Sequence, residues 1–148
     1  MKKLIGLAAV AAIAVPTAAL GAASRSTSGT IYAHTTHVVG KDLYVSGDFK
    51  DKLLGPGAIV YITNPAANAD GSVLVKARRV TIYLPSGTMS GVGQATQTIQ
   101  GEAVTVSNGT FSLTKGTGKY KGRTLKGTFS GTQDKDGVYK FTYKGKLT

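Results

Sequence analysis

The stretch NGTFSLTKGTGKYKGRTLKGTFSGT, Asn108 to Thr132, decides the fold. Thr110, Ser112 and Thr114 alternate with Phe111, Leu113 and Lys115. This period of two sends successive side chains to opposite faces of a strand. Gly116-Thr117-Gly118 then weakens the strand and favours a tight turn, with Gly118 the better candidate for a positive φ. Leu125, Gly127 and Phe129 resume the alternation against Lys126, Thr128 and Ser130. The strand at Thr110 to Thr114 is therefore expected to pair with one running roughly from Gly122 to Ser130. Gly116, Gly118 and Gly122 are the structural glycines of that turn.

The same texture extends in both directions. Strand patterns occupy Ile31 to Val39, Leu43 to Phe49, Ala58 to Thr63, Ser72 to Leu84 and, more weakly, Thr88 to Gln100 and Gly101 to Val106. Turns are expected at Gly40-Lys41-Asp42, Gly55-Pro56-Gly57, Asp70-Gly71, Pro85-Ser86-Gly87, Ser107-Asn108-Gly109 and Asp134-Lys135-Asp136-Gly137, all turn chemistry. Within Ser72 to Leu84 the apolar side changes face near Arg78-Arg79, which a bulge would explain. In Thr88 to Gln100 the glycines and threonines disfavour a helix, and no apolar stripe appears. Tyr139, Phe141 and Tyr143 close the last strand, opposite Lys140, Thr142 and Lys144. About eight or nine closely spaced strands and no helix mean an all-β domain, a closed antiparallel barrel or a sandwich. Closure removes exposed edges, so a single closed antiparallel β-barrel of about eight strands is the expected fold. Phe111, Phe129, Tyr139, Phe141 and Tyr143 are its expected core.

The head of the chain has a different character. Met1-Lys2-Lys3 is basic, Leu4 to Leu20 is apolar and alanine-rich, and Gly21-Ala22-Ala23-Ser24 is small. That is the form of a secretory signal peptide, expected over residues 1–23. Residues 24–30, SRSTSGT, read as a flexible polar leader, and 31–148 as the barrel domain. The expected location is secreted, extracellular or wall-associated, with no transmembrane segment in the mature protein. The chain has no cysteine, so the fold stands on packing and sheet hydrogen bonds without disulfides.

Residue chemistry points away from familiar catalytic sites. His34 and His37 are the only histidines. Three apart on a strand, they fall on opposite faces, and no metal site is expected. Gly116-x-Gly118 matches neither phosphate-loop fingerprint: the third glycine, Gly122, is one residue late, and Lys119 is followed by Tyr120. The G-x-S-x-G elbow is absent. Glu102 is the only glutamate. Asn108-Gly109-Thr110 fits a glycosylation sequon but reads as an Asn-Gly turn. No catalytic residue, ligand-binding residue or cofactor is named by the pattern. The net charge of +11 is the one surface feature with weight. Lys121, Lys126, Lys140 and Lys144 represent a basic surface suited to anionic wall polymer through salt-sensitive attraction. Tyr120, Tyr139 and Tyr143 alternate with lysines and should point inward. That leaves no stacking platform for specific nucleic-acid binding.

The turn Lys115-Gly116-Thr117-Gly118-Lys119-Tyr120-Lys121-Gly122, with Leu125 to Thr132 and Gly137 to Gly145, resembles the allene oxide cyclase and dirigent-like barrel superfamily. It is also similar to small exported actinobacterial proteins that carry this barrel. The resemblance implies an eight-stranded antiparallel barrel of that kind, or calycin-like. It also implies a deep apolar cavity of the sort used to cyclise a fatty-acid epoxide or to steer coupling of phenols. No catalytic residue of the family has a match here. The expected function is a secreted non-enzymatic barrel, wall-associated or carrying a small apolar ligand. The alternative is an isomerase, cyclase or dirigent-like protein acting on an apolar small molecule. The barrel interior discriminates: an open apolar cavity of ~300 Å³ or more with convergent polar groups would favour the alternative.

Overall fold

The computed structural model describes residues 23–148. All of the expected signal segment except Ala23 lies outside the described residues. Eight strands follow one another around a closed antiparallel barrel: β1 Arg25–Val39, β2 Asp42–Asp51, β3 Gly55–Ala67, β4 Val73–Leu84, β5 Gly87–Gln100, β6 Ala103–Gly116, β7 Leu125–Gln133 and β8 Tyr139–Leu147. Each strand pairs with its neighbours in the chain, and β8 returns to β1. Among the described residues the only helical element is one 3-10 turn, Gly118–Tyr120, in the β6–β7 connection.

The period-two pattern becomes an inside and an outside. In β8, Phe141, Tyr143 and Leu147 are buried while Lys140, Lys144 and Lys146 are exposed. The up-and-down connectivity also gives the barrel two distinct ends. The β2–β3, β4–β5 and β6–β7 connections lie at the lower end, and the other four lie at the upper end. The lower end is sealed. Phe49, Met89, Leu113 and Leu125 are at most 1% exposed, with Leu54, Leu84, Leu147 and Tyr120 packed around them. Burying each large apolar side chain contributes ~1.5–3 kcal/mol. Tyr120 reaches this core because the 3-10 turn folds it back over Gly116, where a Cβ would lie 1.9 Å from the Tyr120 carbonyl oxygen.

Glycine shapes the interior by yielding space to rings. Phe111 faces Gly127, Phe129 faces Gly109, Phe141 faces Gly131 and Tyr143 faces Gly29 across the strands. A Cβ on any of these four glycines would come within 2.7–2.8 Å of its ring. The aromatic side chains lie across their glycine partners, which lets a narrow barrel hold rings on adjacent strands.

Bulges adjust the faces. At Arg78-Arg79 the register jumps between Ala77 and Val80 against β5, and Arg79 has φ +53°. The jump turns Val80, Ile82 and Leu84 inward on the side that Val75 and Ala77 line above the bulge, so the switch in apolar face is the bulge itself.

Several sequence expectations are corrected. Ser107-Asn108-Gly109 is not a hairpin turn: β6 runs through it, with Asn108 at φ +52° and a register jump between Val106 and Gly109. Asparagine tolerates the left-handed region, so Asn-Gly serves a bulge as readily as a turn. Gly55-Pro56-Gly57 begins β3, and the preceding turn is made by Lys52 to Leu54 against Asp51. The polar segment expected as a leader is strand: residues 25–30 pair with β8, Gly29 and Thr30 pair with β2 as well, and Thr27 is buried. Its serines and threonines suit a pleated surface once β8 lies alongside. The connection after β6 is longer than a tight turn, because the 3-10 turn intervenes and β7 begins at Leu125.

Candidate functional site

The upper half of the barrel encloses a cavity of about 110 Å³. Its floor is Phe49, Leu113, Leu125 and Tyr143, and its walls include Val45, Ile59, Val80 and Ile82. Toward the upper end the lining changes to Thr35, Thr63, Pro65, Gln94, Gln97 and Tyr139. Pro65 and Gln94 are exposed there, whereas the residues sealing the lower end are buried. The cavity is thus an apolar cup with a partly polar rim.

Ring geometry builds one wall. Phe129 and Phe141 meet edge to face with centroids 5.5 Å apart, and Tyr139 stacks on Phe141 at 5.5 Å. Such pairs add ~0.5–1.5 kcal/mol beyond area burial. Phe141 and Tyr143 are buried, while Phe111, Phe129 and Tyr139 are half-buried. They line the cavity, so one side of each ring faces open volume rather than packed neighbours.

Two phenols and an amide supply polarity. Gln97 Nε2 donates to the Tyr139 hydroxyl oxygen at 3.4 Å, leaving that hydroxyl's own proton available. Tyr61 also lines the cavity, and its phenol is raised above the ordinary tyrosine range, chiefly by burial and then by nearby Tyr139. It stays neutral and able to donate. No carboxylate or histidine is among the cavity-lining residues. Neither Tyr61 nor Gln97 stood out in the sequence. The available signal was parity: Tyr61 shares its face with Ile59 and Thr63, and Gln97 shares its face with Ala95.

One carboxylate does face inward, below the cavity. Asp51 Oδ1 accepts from the Thr27 hydroxyl at 2.6 Å and from the Leu53 and Leu54 backbone N–H groups at 2.7 Å each. The Tyr143 hydroxyl donates to Oδ2. Burial, followed by this bond to Asp51, pushes the Tyr143 phenol up. The cluster ties β1, the β2–β3 turn and β8 together under the cup. With its acceptors engaged and Tyr143 above it, Asp51 is a structural anchor.

The remaining sequence candidates lie elsewhere. His34 and His37 are both exposed and not on opposite faces as their spacing implied, because β1 bulges between Thr35 and His37; His37 stacks on Tyr44 at 4.2 Å. No three His, Cys, Asp or Glu side chains cluster among the described residues. Gly118 has φ +56°, and a Cβ there would meet the Ser86 carbonyl oxygen at 2.2 Å. Gly122 has φ +74° with open space around it. Glu102 is exposed in the β5–β6 turn. Lys126, Lys140 and Lys144 are exposed on the outer face of β7 and β8, and Lys121 is exposed in the β6–β7 connection. No helix among the described residues is long and apolar enough to cross a membrane.

Comparison of the chain with protein-family models, with curated proteins and with solved structures gives no match.

Proposed function

We propose that this protein is a secreted, non-enzymatic barrel that carries a small apolar molecule in its upper half. The observation that carries the reading is the cup itself: about 110 Å³ lined by aliphatic and aromatic side chains, with neutral hydroxyl donors in its wall. This is well below the ~300–1,000 Å³ of sites for drug-sized ligands. It is closer to the ~150 Å³ apolar cavities that admit benzene. A compact ring or a short hydrocarbon end fits, with one acceptor atom toward Tyr61 and Tyr139. The resemblance to allene oxide cyclase and dirigent-like barrels supports the architecture of this reading. The isomerase or cyclase alternative is disfavoured by the cavity's size and by a lining that holds no carboxylate or histidine.

Cyclohexanone and cyclohexane are suitable probes, because they share a ring and differ in one carbonyl. Amide chemical shifts followed by NMR should move, saturably, at Tyr61, Ala95, Gln97 and Tyr139. Cyclohexanone should bind several-fold tighter, and Tyr61→Phe should remove about fivefold of that affinity, the effect of one hydrogen bond worth ~1 kcal/mol. Shifts scattered over the outer face, or none at millimolar probe, would refute carriage. Secretion has its own check: the intact mass of exported material should correspond to a chain beginning near Ser24.

A further inference from the structure

Charge is distributed unevenly along the barrel axis. Asp42, Asp70, Glu102, Asp134 and Asp136 all belong to the upper end, in or beside its turns. Among the described residues the lower half has two carboxylates: Asp51, which is buried, and Asp48, exposed on the outer face of β2 between Tyr32 of β1 and Ala58 of β3, with no cation in ion-pair contact. That end carries Lys52, Lys119, Lys121, Arg123, Lys126 and Lys146, and Lys126 sits directly across from Lys146 in neighbouring strands. The single ion pair among the described residues, Arg78 with Asp42, is also at the upper half. The lower-end cations therefore have no acidic partner within ion-pair distance. The Arg123 Nε is moreover buried with no hydrogen-bond partner among the described residues. Like charges held this close repel, a standing cost that an anionic partner would relieve.

A depression on the outer wall adjoins this end. It crosses β6, β7, β8 and β1, with Lys52 and Lys144 on its lining. The short side chains Ser28, Thr110, Thr128, Ser130 and Thr142 line the rest, together with Asn108. The inward glycines Gly29 and Gly109 let the strands close in over Tyr143 and Phe129, and the short outer side chains leave the hollow unfilled. β1, β6, β7 and β8 contain no Asp or Glu.

We propose that this depression and the cationic lower end form a binding site for a polyanionic, hydroxyl-bearing polymer, a polyol phosphate or an acidic glycan. Lysines meet the anionic groups, and the hydroxyl and amide array hydrogen-bonds the polyol between them. Nucleic acid is a poorer occupant, because the aromatic residues of the depression, Phe129 and Tyr143, belong to the inward face and offer bases no outer platform. A bilayer is also poorer: Val38, Val39 and Ile99, exposed large aliphatic side chains at a barrel end, belong to the upper end, and the lower end exposes Tyr83 alone of the described large hydrophobic residues. Binding here would leave the upper rim of the cup unobstructed. The site stands on charge and surface chemistry and does not depend on the carriage reading.

The test uses residues 24–148 and three probes: a fluorescent poly(glycerol phosphate) oligomer, single-stranded DNA of equal phosphate number, and phosphatidylglycerol vesicles. Poly(glycerol phosphate) should bind at least about fivefold tighter than the DNA at equal salt. Its affinity should fall with salt, and Lys126→Gln with Lys144→Gln should lower the slope by roughly one per lysine that meets a phosphate. Thr128→Val with Ser130→Ala should weaken poly(glycerol phosphate) about 5–10-fold, the effect of one or two lost hydrogen bonds, and leave DNA binding unchanged. Circular dichroism confirms that each variant is folded. Equal affinity for DNA and poly(glycerol phosphate), tighter binding to vesicles, or indifference of polymer binding to the hydroxyl variants would overturn the proposal.

Discussion

The lower and upper halves of the barrel are made from the same strands, yet they are packed to different ends. Below, Phe49, Met89, Leu113 and Leu125 are at most 1% exposed, and the 3-10 turn adds Tyr120 as a plug. Above, the same inward positions carry Thr35, Thr63, Gln97 and Tyr139 around open volume. A protein of this size could fill its whole interior, since native interiors pack to crystal-like density with few voids. The contrast teaches that stability is concentrated at one end, which frees the other to remain a cup. Four glycine–aromatic pairs mark the transition, because the glycine opposite each ring leaves it room to lie across the neighbouring strand.

The sharpest way to break this comparison is to truncate one ring in each half. Phe49→Ala should lose ~3–5 kcal/mol in denaturant unfolding, as a fully packed ring does. Phe129→Ala should lose less, ~1–3 kcal/mol, because Phe129 already borders open volume and is half-buried. Equal losses would show that the halves are packed alike.

Next in size is the anchor beneath the cup. Asp51→Ala leaves the Thr27 hydroxyl, two backbone N–H groups and the Tyr143 hydroxyl without their acceptor. A loss of about 3 kcal/mol is expected from the buried groups orphaned. Hydrogen exchange should quicken first at Leu53, Leu54 and the Arg25 to Thr30 half of β1. Uniform quickening over the barrel would contradict a local anchor.

Gly118→Val should cost ~1–3 kcal/mol, since its φ of +56° suits glycine and its Cβ would strike the Ser86 carbonyl. Thr128→Val, on an exposed strand position, should change stability by less than ~0.5 kcal/mol. A Gly118→Val variant as stable as the parent would mean that the β6–β7 connection is not part of the lower seal.

The smallest expected effect is alkaline. Tyr61 and Tyr143 are held neutral in the fold beyond the 10.0 of a free tyrosine. The unfolded chain releases those protons near pH 10. Stability from the neutral phenols is complete below that pH and is lost as pH rises past it. Absorbance titration should show these two phenols ionising only as the barrel unfolds, with the Tyr143→Phe variant less sensitive to alkali. Titration of every tyrosine at pH 10 in a folded barrel would contradict the burial of both.

The sequence by itself determined the class of fold, because a period of two is a local property. Thr110 to Thr114 and Leu125 to Ser130 each display their two faces without reference to any other strand. Asp134 to Gly137 is a turn because the Asp134 carboxylate accepts from backbone N–H groups of the same segment, those of Asp136 and Val138. The switch of apolar face at Arg78-Arg79 was equally local, so the bulge was legible too. What only the tertiary structure decided depends on partners distant in the chain. Asn108-Gly109 carries turn chemistry, but neighbours on both sides hold it as a bulge within β6. Residues 25–30 lack apolar bulk and become strand only because β8 pairs along all of them and β2 joins at Gly29 and Thr30. Tyr61 and Tyr139 are both inward by parity, yet that they share one cavity depends on closure of the barrel. The separation of charge between the ends follows from which turns the up-and-down path stacks together, and no linear spacing encodes it.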